Sequence, residues 1–332
     1  MSFWQKAWIK IFTLLKAVLA LAVFICLEYA VFSVFAYFGI DRQIYRGTYN
    51  FATCVLVFVV MFVTNLLYSK KKEPLFMMGR LKPDQVAALI VVGLGMLGFV
   101  TTYLGIVNRI ADYLKPVSQA VEDYRDSVYR FSEVPQRVIP LWDSFLYIFT
   151  LCFIVPVTEE MTFRGVFYGA LRKGFGPWVS VILCALGFGI MHGLSVHIGY
   201  AIVCGLIIAS CYYLTESLIA PIILHIVFNI FGSGLPTLLS LDCFNIPKTN
   251  VNALLIGVNT VSIIFMPLAV IAIAYLVNAK RKKAKEAKAS AEIISVTVQT
   301  QEEPSEDSDI IDEEKSVESV NVMTEGGSGA DS

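Results

Sequence analysis

Apolar residues fill the chain in long runs, most of them separated by short charged flanks. The runs cover 17–40, 51–68, 86–108, 141–171, 177–195, 196–214, 217–231 and 251–278. Crossing ~30 Å of hydrocarbon takes about 20 residues at 1.5 Å each. The pattern therefore predicts an all-α polytopic membrane bundle of about eight transmembrane helices, with 217–231 the shortest candidate. Between the third and fourth runs, 109–140 carries charges of both signs, with Tyr113, Leu114, Val117, Val121, Tyr124, Val128 and Phe131 at intervals of mostly three and four. That spacing predicts an amphipathic helix lying along the outer face.

Composition changes the picture only by fixing the solvent. The 332 residues are 56% hydrophobic and 16% charged, where an ordinary soluble domain carries about 25% charged residues. The net charge of −1 hides an asymmetry, because a basic stretch from Lys280 to Lys288 is balanced by an acidic, Ser-rich tail. Residues 279–332 are thus expected to be a basic juxtamembrane stretch touching anionic headgroups, followed by a disordered tail, after a membrane domain over 1–278. No basic surface suggests nucleic acid as a partner. Lysines and arginines cluster before the first run, after the second, after the fourth and after the last. In an eight-span chain these positions share one side, which places both termini in the cytoplasm. Charge patterning and loop chemistry point to a bacterial cell membrane. Of seven cysteines, only Cys243 lies outside the apolar runs, so unpaired thiols packing as small hydrophobes are expected rather than a disulfide frame.

The candidate chemistry sits where lipid tolerates it least. Glu159, Glu160 and Arg164 interrupt the fourth run, and an ionised group near the centre of a spanning helix costs roughly 2.5 to 3.5 kcal/mol. They must face a polar interior. On a helix Glu160 and Arg164 can pair one turn apart, while Glu159 points roughly 100° away and stays free. The only histidines, His192, His197 and His225, follow within the next apolar runs. His225 and Asn229 share a helix face, and Gly189 with Gly193 forms a small-residue pair suited to close helix approach. These groups suggest hydrolysis of a peptide bond. Glu159 would polarise a water that His192 holds, and His225 with Asn229 would donate to the oxyanion. The same residues allow a second account, in which Glu159, His192 and His225 bind Zn2+ with water in the fourth position. No HExxH helix is present to favour it.

Glu159-Glu160-x-x-x-Arg164, Phe188-x-x-x-His192 and His225-x-x-x-Asn229, in that order on successive apolar segments, resemble the CPBP family of CAAX-processing and bacteriocin-processing intramembrane proteases, also called Abi. The motif-bearing core is 141–232. The resemblance implies an all-helical membrane protease, described in the family both as a metalloprotease and as a glutamate protease, acting on a membrane-associated peptide or protein. It implies Glu159 as the water-activating base with His192, Glu160 and Arg164 as its support, and His225 with Asn229 as transition-state donors. His197 matches no motif and is expected at a helix end or loop. Two other classes compete: a non-catalytic immunity or scaffold protein of the same fold, and a transporter, for which Glu28 in the first run would be useful.

Overall fold

The computed structural model describes residues 2–72, 74–129, 138–193 and 195–302, with the backbone alone for 126–129 and 295–302. All regular structure among them is helical, apart from a single bridge between Met78 and Ser217. Helix α1 (Phe3–Tyr37) starts at a reciprocal capping box between Ser2 and Gln5, which satisfies two otherwise unpaired donors. Helix α2 (Arg46–Lys70) has no cap of its own and borrows one. Asp143, fully buried, accepts from Gly47 N at 2.7 Å, Thr48 N at 2.9 Å and Thr48 Oγ1 at 2.6 Å. A carboxylate is favoured at a helix N-terminus. Helix α3 (Pro83–Ala111) opens on Pro83, with Asp84 in its first turn, a start that loses no hydrogen bond to the proline. Helix α4 (Lys115–Tyr129) is the expected amphipathic helix. It packs against α3 and against α7 (Ser195–Thr215) rather than lying on an outer face alone. The expected position of Phe131 lies outside the described residues.

Helix α5 (Leu141–Leu171) is the hub. It contacts α1, α2, α6 (Pro177–Ile190) and α8 (Ile219–Leu239), and from Thr158 to Leu171 every residue but Glu159 is buried. It is not a plain α-helix. Thr150–Ile154 and Met161–Phe167 are π-helical, as is Ile230–Gly234 in α8. Helix α9 (Lys248–Glu302) closes the described chain; its course through the basic stretch is helical, and the acidic tail expected to be disordered lies, over 303–332, outside the described residues.

Of the about eight spans expected, seven are, among the described residues, helices long and apolar enough to cross a membrane, and α6 is apolar but shorter. Its 14 residues reach only about 21 Å at 1.5 Å per residue. The reason is Gly193, which adopts φ +75°, a conformation that ends a helix and that glycine takes without strain. Gly193 is therefore a turn glycine with open space around it, not half of a packing pair. Gly189 alone meets the neighbouring helix, at Ile202 of α7.

Large apolar side chains such as Leu19, Leu67, Ile182, Ile264 and Val270 are exposed, as expected of a lipid-facing surface. The chain is a multi-pass integral membrane protein. Its basic flanks gather at one end of the bundle: Lys16, Arg172 and Lys173 share a surface hollow, Arg172 Nη2 donates to Pro74 O at 3.0 Å, and Lys280 reaches Glu216 at 3.1 Å. All seven cysteines are free, and only Cys26 and Cys243 are exposed.

Candidate active site

The local construction of α5 explains the site. In the first π-segment Val155 N–H bonds Thr150 O, so the next carbonyl, Leu151 O, would look five residues ahead to Pro156, which has no N–H. Asn229 supplies the missing donor: its Nδ2 lies 2.9 Å from Leu151 O. One amide hydrogen of Asn229 is thereby committed, and the second, with Oδ1, remains for the cavity. The π-helical turns that abut Glu160 and Asn229 are the kind of local widening that recurs at functional sites.

Glu160 and Arg164 are both fully buried and pair at 2.9 Å, Nη1 to Oε1. The same Oε1 accepts from His225 Nδ1 at 2.7 Å. Arg164 Nη2 donates to Gly205 O at 3.2 Å, and its guanidinium stacks 4.5 Å above the Phe188 ring. Because a carboxylate can only accept when ionised, His225 must carry its proton on Nδ1. Its other nitrogen, Nε2, then faces Glu159 Oε2 at 3.9 Å. Glu159 is the accessible one of the two carboxylates, with its side chain 23% exposed against 0% for Glu160.

His192 lies just beyond the end of α6. Its Nδ1 is 2.7 Å from Phe188 O, and a carbonyl accepts only, so Nδ1 is protonated and Nε2 is left as an acceptor in the neutral ring. Phe188 thus serves both sides of the site, through its ring on Arg164 and its carbonyl on His192. Spacing alone assigned it no such role. His197, in the first turn of α7, is more than a helix-end residue: its ring is 4.4 Å from that of His192 and stacks at 4.8 Å on Tyr200, while Tyr124 of α4 approaches at 6.1 Å.

Glu159, His192, His225 and Asn229 all line one cavity of about 690 Å3, together with His197, Tyr200 and Tyr124. Glu160 and Arg164 stand behind its wall. A second cavity of about 320 Å3, which includes Glu28, shares Glu159, Arg46 and Tyr147 with the first. Among the described residues no three His, Cys, Asp or Glu side chains group closely enough in this geometry to hold an ion.

Fold and site define a multi-pass helical membrane protein with a carboxylate–imidazole cavity inside the bundle. Residues 141–231 match the family model described as type II CAAX prenyl endopeptidase Rce1-like, the segment that carries all three motifs. The "Putative membrane peptidase YdiL" of Bacillus subtilis (strain 168) is 26% identical over 123 residues, 37% of this chain and 50% of that protein. The chain spans about half the length of this curated relative. No solved structure matches the chain. Both matches are to peptidases, and the family model agrees with the resemblance carried by the motifs.

Proposed function

We propose that this protein is an intramembrane endopeptidase that hydrolyses a peptide bond of a membrane-associated protein or peptide, with Glu159 activating the water. The observation that carries this reading is the convergence of Glu159, His192, His225 and Asn229, from three different helical segments, on a single cavity.

The 3.9 Å gap between Glu159 Oε2 and His225 Nε2 suits one water that donates one hydrogen to Glu159 and the other to His192 Nε2, and that accepts from His225 Nε2–H when that ring is protonated. Glu159 takes a proton from that water as its oxygen bonds to the peptide carbonyl carbon. The oxyanion then accepts from the second amide hydrogen of Asn229, and from His225 Nε2–H when that ring is protonated. Collapse breaks the C–N bond, and Glu159 returns the proton to the departing amine. Glu160, held by Arg164, keeps His225 oriented throughout. No step in this account passes through a metal. The gathering of basic flanks at one end of the bundle supports a cytoplasmic position for that end.

The test compares membrane-peptide profiles from cells carrying wild type and Glu159→Gln. The expected result is a cleavage product that disappears in the variant while the protein still inserts and accumulates; full cleavage by Glu159→Gln overturns the assignment. Activity should also survive exhaustive chelation. Loss on chelation, restoration by zinc and stoichiometric zinc in the purified protein would together replace the metal-free account.

A further inference from the structure

We infer that Arg46 is a carboxylate-binding subsite of the cavity, which seats an anionic group of the bound peptide and so sets the direction in which the chain lies past Glu159. This rests on the endopeptidase reading.

Arg46 is the first residue of α2 and lines both cavities. Its guanidinium sits 4.4 Å over the Tyr147 ring, and its Nε is buried without a hydrogen bond. Other candidates for neutralising it are already engaged or distant. Both oxygens of Asp143 are taken by Gly47 and Thr48. Glu28 and Glu159 share the second cavity with it, yet no ion pair within 4 Å joins either to Arg46 among the described residues.

The contrast with Arg164 is instructive. That buried arginine has a carboxylate, a carbonyl and an aromatic ring; Arg46 has only the ring. A partly desolvated guanidinium that lacks an anion is costly, and its planar fork matches a carboxylate in two parallel hydrogen bonds. Tyr147 fixes the plane of that fork from one side and leaves its edge for a ligand. Glu159 lines the same two cavities and repels an anion, so a peptide carboxylate would go to Arg46 and leave the scissile carbonyl to Glu159. The carboxylate can be a chain terminus or an Asp or Glu side chain. The chemistry at Arg46 is the same for both.

The experiment uses full-length protein in nanodiscs and three pools of randomised, lipid-soluble decapeptides. One ends in a free acid and lacks Asp and Glu, the second is its C-terminal amide, and the third is amidated with one Asp or Glu at varied positions. Retained and cleaved peptides are both read by mass spectrometry. Wild type should retain the acid pool or the acidic side-chain pool at least roughly tenfold better than the plain amide, and whichever is retained identifies the source. Arg46→Gln should reduce the ratio to about one, and Arg46→Lys should keep part of it, since it keeps the charge but loses the fork. Equal retention of all three pools by wild type overturns the inference without needing any variant to fold, as does a preference that survives in Arg46→Gln. Retention that follows only the anionic lipid content of the nanodisc also overturns it, by giving Arg46 to a headgroup phosphate. Carboxylate preference without cleavage removes the endopeptidase reading and leaves the subsite; cleavage without preference does the reverse.

Discussion

The two walls of the cavity are built on opposite principles. On one, His225 is backed by Glu160 and Arg164 in a chain whose links are 2.7 and 2.9 Å, in side chains 0 to 8% exposed. On the other, His192, His197, Tyr200 and Tyr124 meet ring against ring, with a hydrogen bond from His192 Nδ1 to Phe188 O and one between the Tyr124 and Tyr200 hydroxyls at 3.4 Å. The first wall cannot move without separating buried charges. The second can rearrange at the cost of aromatic contacts worth roughly 0.5 to 1.5 kcal/mol each and of neutral hydrogen bonds, without separating buried charges. Glu159 lies between them, anchored by its backbone to the rigid hub and exposed to the softer side. In the proposed reaction rigid charge would orient the chemistry, while the aromatic wall would be the side that a substrate shapes.

The sharpest way to break this comparison is to attack the rigid wall. Arg164→Ala leaves Glu160 buried, with His225 as its remaining partner, and removing one member of a buried pair costs about 3 to 5 kcal/mol. The variant should fail to accumulate, or should melt far below wild type in a detergent thermal-shift assay. If it expresses and melts normally, the wall is not holding the bundle together, and the contrast with the aromatic side collapses.

Asn229→Ala is the next in size, and it probes the joint between chemistry and frame. Loss of one oxyanion donor lowers turnover roughly 100- to 1000-fold with little change in KM. The variant also strips Leu151 O of its donor, so some loss of stability accompanies it. Asn229→Asp, which retains the shape but carries no N–H when ionised, should lose turnover as well. Normal turnover in both would confine Asn229 to the support of α5.

How much of each wall was legible in the sequence follows from the same distinction. Glu160 with Arg164 and His225 with Asn229 are one-turn pairs, and helical spacing alone puts each pair on one face; the apolar runs likewise predicted a membrane bundle. The π-turns were not legible, because their residues advertise no local preference that sets them apart from the α-helix on either side. Gly193 read as a packing glycine because periodicity treats 177–195 as continuous; its left-handed φ shows that the helix has already ended. His197 had no visible partner in the sequence. Its neighbours Tyr124 and His192 come from α4 and the end of α6, and no spacing rule connects them. One signal was available: a second histidine five residues beyond the first, in a chain that has only three.

The smallest effect should come from His197, and it sharpens the comparison most finely. His197→Ala removes a ring that packs at 4.4 Å on His192 and 4.8 Å on Tyr200. The hydrogen bond from His192 Nδ1 to Phe188 O at 2.7 Å survives, so the catalytic orientation is loosened rather than lost. An aromatic contact of roughly 0.5 to 1.5 kcal/mol corresponds to a two- to tenfold fall in turnover. His197→Phe keeps the ring without its nitrogens and should restore most of that loss. If Phe fails to rescue, and Ala costs as much as His192→Ala, His197 exchanges protons or binds the reacting water directly, and the softer wall is then part of the chemistry rather than its packing.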